Sequence, residues 1–444
     1  MLLNFIFFSC IFYIRHILPV GTDVVSLQPQ QIHLSYGANE KEIIVTWITF
    51  QPTNQSLVEY GRKFLTDVVE GNSTVFEDGG TEHRTMFIHR VRLQNLKTGK
   101  KYIYHCGSNY GWSALFSFKT RASGSDWSPN LAVFGDLGNQ NAQSLPRLQK
   151  EAQIGLFDAV LHIGDFAYDM DIDNARVGDE FMRQIEPIAA YVPYMTCVGN
   201  HENAYNFSNY ANRFSMPTED GINNFFYSWN IGPAHIVSFS TEYYFYLEYG
   251  WQQIIEQYKW LENDLKEANE PANRAKQPWI ITMGHRPMYC SNNDSDDCTR
   301  YESIIRTGIP VIHEFGLEDL FYKYGVDLEL WAHEHSYERL WPIYNRTVYN
   351  GSNDNPYTNP KAPVHIITGS AGCWSKHDPF TEPAQSWSAF RSTDYGYTRM
   401  TIINSTHLFL QQISDDKGGA IIDKVMLIKD NHGSWTMDQN GLKP

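Results

Sequence analysis

Two aspartates, an asparagine and three histidines stand just beyond short apolar runs at five places in this 444-residue chain. Leu131 to Phe134 runs into Gly135-Asp136, and Val160 to Ile163 into Gly164-Asp165. Tyr194 to Val198 leads to Gly199-Asn200-His201-Glu202, Trp279 to Met283 to Gly284-His285, and Leu328 to Ala332 to His333-Glu334-His335. A polar side chain leaving a buried strand without partners costs a few kcal/mol, so these groups call for a ligand. Carboxylate and imidazole suit zinc, iron or manganese, and a carboxylate can bridge two ions ~3.5–4 Å apart. Taken singly, a Gly-Asp reads as a tight turn and a lone histidine as a core residue. The ordered set predicts a two-metal site.

Strands must deliver these residues to one place. In an open α/β sheet, sites gather at the carboxyl ends of strands, which lets residues distant in sequence meet. Before them, residues 28–121 read as all-β: Glu42 to Phe50 is rich in β-branched and aromatic residues, Trp47 is a candidate core aromatic, and Tyr102 and Tyr104 alternate after the turn Asn95 to Gly99. Ala122 to Asn130 is a Ser/Gly/Pro linker, and strands then alternate with helices. Ser144 is placed to cap a helix, Gln252 to Asn269 carries Ile254, Ile255, Tyr258, Leu261 and Leu265 at helical spacing, and Leu317 to Tyr324 stops at Gly325. Late strands are expected at Val364 to Thr368, Tyr397 to Ile403 and Leu408 to Gln412. The expected boundaries are 1–21 for a signal peptide, 26–121 for the β-sandwich and 128–435 for the catalytic domain.

The net charge of -15, with no long basic run, argues against a nucleic-acid-binding protein. Leu2 to Ile14 is apolar but shorter than the ~20 residues that span a bilayer, so it reads as a cleaved signal and not a membrane span. Seven sequons, at Asn54, Asn72, Asn206, Asn293, Asn345, Asn350 and Asn404, fit an exported glycoprotein, secreted or lysosomal. Cys290 and Cys298 are close enough to close a small loop and are expected to form a disulfide, while Cys106, Cys197 and Cys373 read as buried thiols.

With Gly164-Asp165-Phe166-Ala167-Tyr168 added to the strand-end motifs, the chain resembles the calcineurin-like metallophosphoesterases and, within them, the purple acid phosphatases. The resemblance implies a fibronectin type III-like sandwich followed by an α/β metallophosphoesterase domain of layered β-sheets flanked by helices. It implies that Asp136, Tyr168 and His335 bind a ferric ion, that Asp165 bridges, and that Asn200, His285 and His333 hold a divalent ion (iron, zinc or manganese). His201 would donate a hydrogen bond to phosphate. The implied reaction is hydrolysis of phosphate monoesters by a metal-bound hydroxide; a phosphodiesterase or nucleotide diphosphatase is the alternative on the same fold. An adhesion protein built on the sandwich is disfavoured because all seven ligands are present. The plant enzymes carry further histidines after the Gly-His motif, whereas here the segment Arg286 to Cys298 has none. The general acid therefore stays open among His201, Glu202, Arg286 and the loop acids.

Overall fold

The computed structural model describes residues 23–218, 224–373 and 376–435; the expected signal peptide lies outside them. Residues 30–119 form two facing sheets. One has the order Gln30–Tyr36, Ile43–Thr49, Thr85–Leu93, Asn72–Glu77, and the other Asp67–Glu70, Leu57–Gly61, Lys101–Ser108, with Gly111–Trp112 and Phe116–Lys119 pairing to the last. Trp47 is the core aromatic expected, 1% exposed and stacked on His89 at 5.0 Å. The Tyr102 hydroxyl accepts the Lys97 N–H at 2.9 Å, closing a tyrosine corner across the Asn95 to Gly99 turn.

Ile43–Thr49 is buried at every position, which a one-faced sheet does not produce. Its outer face is covered by the catalytic domain. Tyr36 donates to the Asp158 carbonyl at 2.7 Å, Tyr104 to the Ala190 carbonyl at 2.7 Å, and Thr46 to Ser215 at 3.0 Å. A single hydrophobic cluster accordingly runs from Leu34 and Tyr104 in the sandwich to Phe181 and Met195 beyond it.

The five site strands form where expected, at Asn130–Phe134, Ala159–Ile163, Tyr194–Cys197, Trp279–Met283 and Leu328–Trp331. They do not share one sheet. The first three lie parallel in a six-stranded sheet completed by Gly396–Ile402, His407–Ser414 and Ala420–Ile428; the last two are parallel neighbours in a seven-stranded sheet with Val364–Thr368. The two sheets meet at the site through the Gly135 N–H bonded to the Thr368 carbonyl at 3.0 Å.

The helices follow the sequence with one correction. Gln252–Ala268 buries Ile254, Leu261 and Leu265 and leaves Ile255 and Tyr258 half-buried, and Leu317–Lys323 ends ahead of Gly325, whose φ of +63° is the left-handed stop favoured by glycine. Ser144 precedes the helix Leu145–Gln153 but makes no cap. Its hydroxyl instead donates to Asp415 at 2.7 Å, because a buried tertiary partner outcompetes the local amide. Ala420–Ile428 was not among the expected strands, since Asp423 and Lys424 interrupt its apolar run.

Candidate metal centre

The glycines before the site residues are needed for space. A Cβ on Gly164 would lie 2.5 Å from His285 Nδ1, so the turn after Ala159–Ile163 can approach the opposite sheet only with hydrogen there. Asp136, Asp165, Tyr168 and His333 themselves hold φ of 57°, 52°, 52° and 70°. Left-handed backbone costs roughly 1–3 kcal/mol at a non-glycine residue, and its concentration here marks a site whose geometry is imposed by its surroundings.

All seven expected ligands converge in two clusters that share one residue. Asp165, His285 and His333 form one, and Asp136, Asp165 and His335 the other, with ligand atoms in each within 4.8 Å of one another. Asn200 joins the first, its Oδ1 3.1 Å from His285 Nε2; Tyr168 joins the second, its hydroxyl 3.0 Å from Asp136 Oδ1 and 2.9 Å from His335 Nε2.

The first cluster fits a cation on the chemistry of its donors. His285 Nδ1 lies 2.8 Å from the Ile163 carbonyl, and His333 Nε2 lies 2.5 Å from Asp296 Oδ2, a closer and anionic partner than the Arg286 Nη1 at 3.0 Å, so each of these nitrogens carries the ring proton. The other nitrogens, His285 Nε2 and His333 Nδ1, then present bare lone pairs 3.2 Å apart, with Asp165 Oδ1 3.3 Å from His285 Nε2. Acceptors facing one another require a proton or a metal between them. In the second cluster, burial, Asp136 and Asp165 push the Tyr168 phenol well above its usual range, so a phenolate here needs a strong cation beside it. Burial opposes charge on His335 and His285, yet Asp136 with Cys373 holds the first up at about 12 and Asp165 the second at about 10. This is the negative field that a pair of metal ions would neutralise.

His201 stands on the wall of the adjoining cavity of about 340 Å3. Its Nδ1 lies 2.5 Å from Asp169 Oδ1, its backbone N–H donates to Asp165 Oδ1 at 3.0 Å, and its ring is 4.4 Å from that of Tyr168. Burial lowers and Asp169 and Asp165 raise its affinity for protons, with a net rise to about 9. One of the suggested leaving-group contacts is excluded. Glu202 is 2% exposed and its carboxylate accepts the N–H groups of Asp165 at 3.0 Å, Phe166 at 2.9 Å and Gly199 at 2.9 Å, so it pins the ligand loops. Arg286 pairs with Glu242 at 3.0 Å and lies over the Phe245 ring at 4.3 Å, while its Nη1 reaches the edge of the site, 3.0 Å from His333 Nε2 and 3.7 Å from Asp296 Oδ2. The loop acids Asp294 and Asp296 do line the cavity.

Asp169 and Asp296, the carboxylates that orient His201 and His333, were not singled out from the sequence. For Asp169 the only signal was its place directly after Tyr168. Cys290 and Cys298 form the expected disulfide, and Cys106, Cys197 and Cys373 are buried thiols. The side chains of Asn54, Asn72, Asn206, Asn293, Asn345 and Asn404 are exposed, and Asn350 is half-buried.

Three family profiles match the chain in succession: the purple acid phosphatase N-terminal domain over residues 29–120, the calcineurin-like phosphoesterase over 129–337, and the iron/zinc purple acid phosphatase-like protein C over 362–424. Acid phosphatase type 7 of Danio rerio is 58% identical over 427 residues, covering 94% of this chain and 93% of that protein. The Homo sapiens protein of the same name is 57% identical over 408 residues, covering 91% and 92%. A purple acid phosphatase from Lupinus luteus seeds superimposes with a TM-score of 0.75 at 25% identity, over 91% of this chain and 75% of that one.

Proposed function

The chain belongs to the purple acid phosphatases, and from that membership and the two clusters joined at Asp165 we infer how it works as an acid phosphatase with a dinuclear metal centre. Small phosphate esters are its substrates, and the diesterase or nucleotide diphosphatase alternative is not favoured.

In our reading Asp136, Tyr168 and His335 hold ferric iron, Asn200, His285 and His333 hold a divalent ion (zinc, iron or manganese), and Asp165 bridges. A hard trivalent ion favours carboxylate and phenolate, and a softer divalent one takes imidazole and an amide oxygen. When bound, such a pair supplies Lewis acidity that activates water and neutralises phosphate charge. The chain's own groups do the rest. Glu202 fixes the Asp165 and Gly199 loops through three amides, so the shared carboxylate cannot swing away. Asp169 fixes the proton of His201 at Nδ1 and aims the ring into the cavity, where a protonated Nε2 donates to a phosphate oxygen or to the leaving group. No serine or cysteine nucleophile is required, since phosphoryl transfer depends on positioning and charge.

The carrying observation is the shared position of Asp165 in both clusters. Metal analysis of the purified protein, with hydrolysis of 4-nitrophenyl phosphate and its bis ester in acid, tests the reading. Two metals per chain and preference for the monoester are expected; a single metal or preference for the diester would overturn it. We further propose export to the cell exterior or the lysosome. The disulfide and the exposed sequon asparagines support it, and among the described residues no helix is long and apolar enough to cross a membrane. A mobility shift of the cell-derived protein on glycosidase treatment is expected.

A further inference from the structure

The His201–Asp169 pair is carried by two loops, and four residues beyond each member the backbone turns left-handed. After Asp169, the residues Asp173, Asn174 and Ala175 hold φ of 52°, 54° and 64°; after His201, the residues Tyr205, Asn206 and Phe207 hold 53°, 56° and 58°. Asparagine and aspartate visit this region singly, and three consecutive residues without a glycine stay there only when their surroundings hold them. Those surroundings include the sandwich. Ala175 is fully buried in a cluster with Ile48, Phe76, Met86 and Ile88 of its strands. The Asn174 side-chain oxygen accepts the Glu82 N–H at 2.9 Å, the Asn174 carbonyl accepts Arg84 Nη1 at 2.6 Å, and Glu82 pairs with Arg176 at 2.6 Å. At the second turn a Cβ on Gly79 would run into the Tyr205 ring, so the sandwich backbone lies directly on it, and Asp78 accepts from Asn209 at 3.1 Å.

The loop of residues 78–84 joins Asn72–Glu77 to Thr85–Leu93 and is closed on itself. The Asp78 N–H donates to the Arg84 carbonyl at 2.8 Å, the His83 N–H to the Gly80 carbonyl at 3.0 Å, and Asp78 Oδ2 accepts the Gly80 N–H at 2.9 Å. A closed loop moves as a unit, and this one reaches both turns at once. Attachment of the two domains does not need it, because Tyr36 and Tyr104 already bond the Asp158 and Ala190 carbonyls, neither of which lies in either turn. Nor does attachment call for left-handed backbone at both places. What the arrangement fixes is direction. With both turns held, His201 Nδ1 stays 2.5 Å from Asp169 Oδ1, and the ring keeps its place on the cavity wall.

We propose, resting on the acid phosphatase reading, that the sandwich takes part in turnover: its loop 78–84 and the apolar socket around Ala175 position the His201–Asp169 pair. Gly79, Glu82 and Arg84 are positioning residues. None is a metal ligand, and they act by holding the turns that follow the pair. A misplacement of about 1 Å can cost on the order of a hundredfold in rate, so contacts this far from the reacting atoms can govern what His201 contributes.

The test is a double-mutant cycle on the metal-loaded, full-length protein. Gly79→Ala pushes a methyl group into the Tyr205 ring, and Gly79 does not hold a left-handed φ, so the substitution adds only that contact. Glu82→Ala releases Arg176 at the surface, where folding is not at stake, and Glu82→Gln keeps an acceptor there. With metal bound, Gly79→Ala should lower kcat/KM for 4-nitrophenyl phosphate roughly tenfold and Glu82→Ala a few-fold, and Glu82→Gln should recover most of the loss. In a His201→Ala background the same substitutions should change kcat/KM by less than about twofold, and calorimetric affinity for orthophosphate, which needs no turnover, should repeat the pattern. A loop that only joins the domains would cost the same urea stability in both backgrounds and leave the turnover of folded enzyme alone. Full activity of the folded variants, or equal losses with and without His201, would overturn the proposal; if Gly79→Ala does not fold, Glu82→Ala decides it. Wild type that does not hydrolyse 4-nitrophenyl phosphate would instead overturn the phosphatase reading beneath it.

Discussion

Tyr168 is the side chain whose removal is most diagnostic, because its hydroxyl touches both Asp136 and His335 while its ring packs against His201. A phenolate can donate charge into ferric iron, whereas filled-shell zinc gives no visible band. Oxidised protein with its native metals should be pink to purple, and Tyr168→Phe, which keeps the ring, should lose the visible band with the fold intact. A colourless iron-loaded wild type would refute the ferric assignment. Asp296 acts one bond further out. In Asp296→Asn the amide oxygen stays on the Asp297 N–H and the NH2 turns to His333 Nε2, which drives the ring proton to Nδ1, the nitrogen facing His285. Partners of this kind are worth 10–100-fold in metal affinity, so competition titration should show a loss in that range at the divalent position. Six of the seven expected ligands were legible in the sequence because each follows an apolar run that places it at a strand end, and Tyr168 was legible only through the family resemblance. Asp296 and Asp169 were not, since they sit in loops where an acid has no periodicity to betray it.

The loop from Cys290 to Cys298 is the element that carries Asp296 to His333. Inside it Asp296 also receives the Asp297 N–H at 2.7 Å, which starts the short turn Asp297–Thr299. Opening the disulfide with a Cys290→Ser, Cys298→Ser pair should cost about 2–3 kcal/mol by the loop-closure argument for so short a ring. Urea unfolding checks that figure, and weaker retention of the divalent metal by the folded variant should accompany it. The loop's closure was legible from cysteine spacing; its contact with His333 was not, because the contact crosses from a loop to a strand end of the seven-stranded sheet. The same limit explains why the strand patterns alone do not divide the five site strands between the two sheets. Strand-end patterns are identical whichever sheet a strand joins, and only the pairing of Gly396–Ile402 with Asn130–Phe134 separates the two.

Across the whole molecule, the sandwich and the catalytic domain are held by charge as well as by shared core. Arg213 pairs with Asp179 at 2.9 Å and with Gln31 at 3.1 Å, and Arg84 reaches the same aspartate at 2.7 Å. The sandwich also brings an acid liability. His33 and His89 are fully buried, and burial, with a smaller repulsion from Arg90, depresses each imidazole from its usual 6.5 to about 4. The unfolded chain therefore takes up these protons first as pH falls, so stability present above about 6.5 is lost progressively toward 4. Between pH 7 and 5 the loss is about 2 kcal/mol for each histidine. His89→Gln, which can still bond Thr49 and Ser56, should flatten the stability difference between those pH values by that amount in urea titrations. Domain texture was legible from composition, but the docking was not, because Arg213, Asp179 and Gln31 lie far apart in sequence and show no local signal. The crossing of the chain between Asn130–Phe134 and Gly396–Ile402 has a last consequence, in the order of synthesis. The strand that presents Asp136 leaves the ribosome with one of its two neighbours, Gly396–Ile402, more than half the chain away, and His333 and His335 come late as well. Nascent chains halted before that neighbour is made should hold no metal, so metal insertion is an event of the finished polypeptide, after its sandwich and first parallel strands have formed.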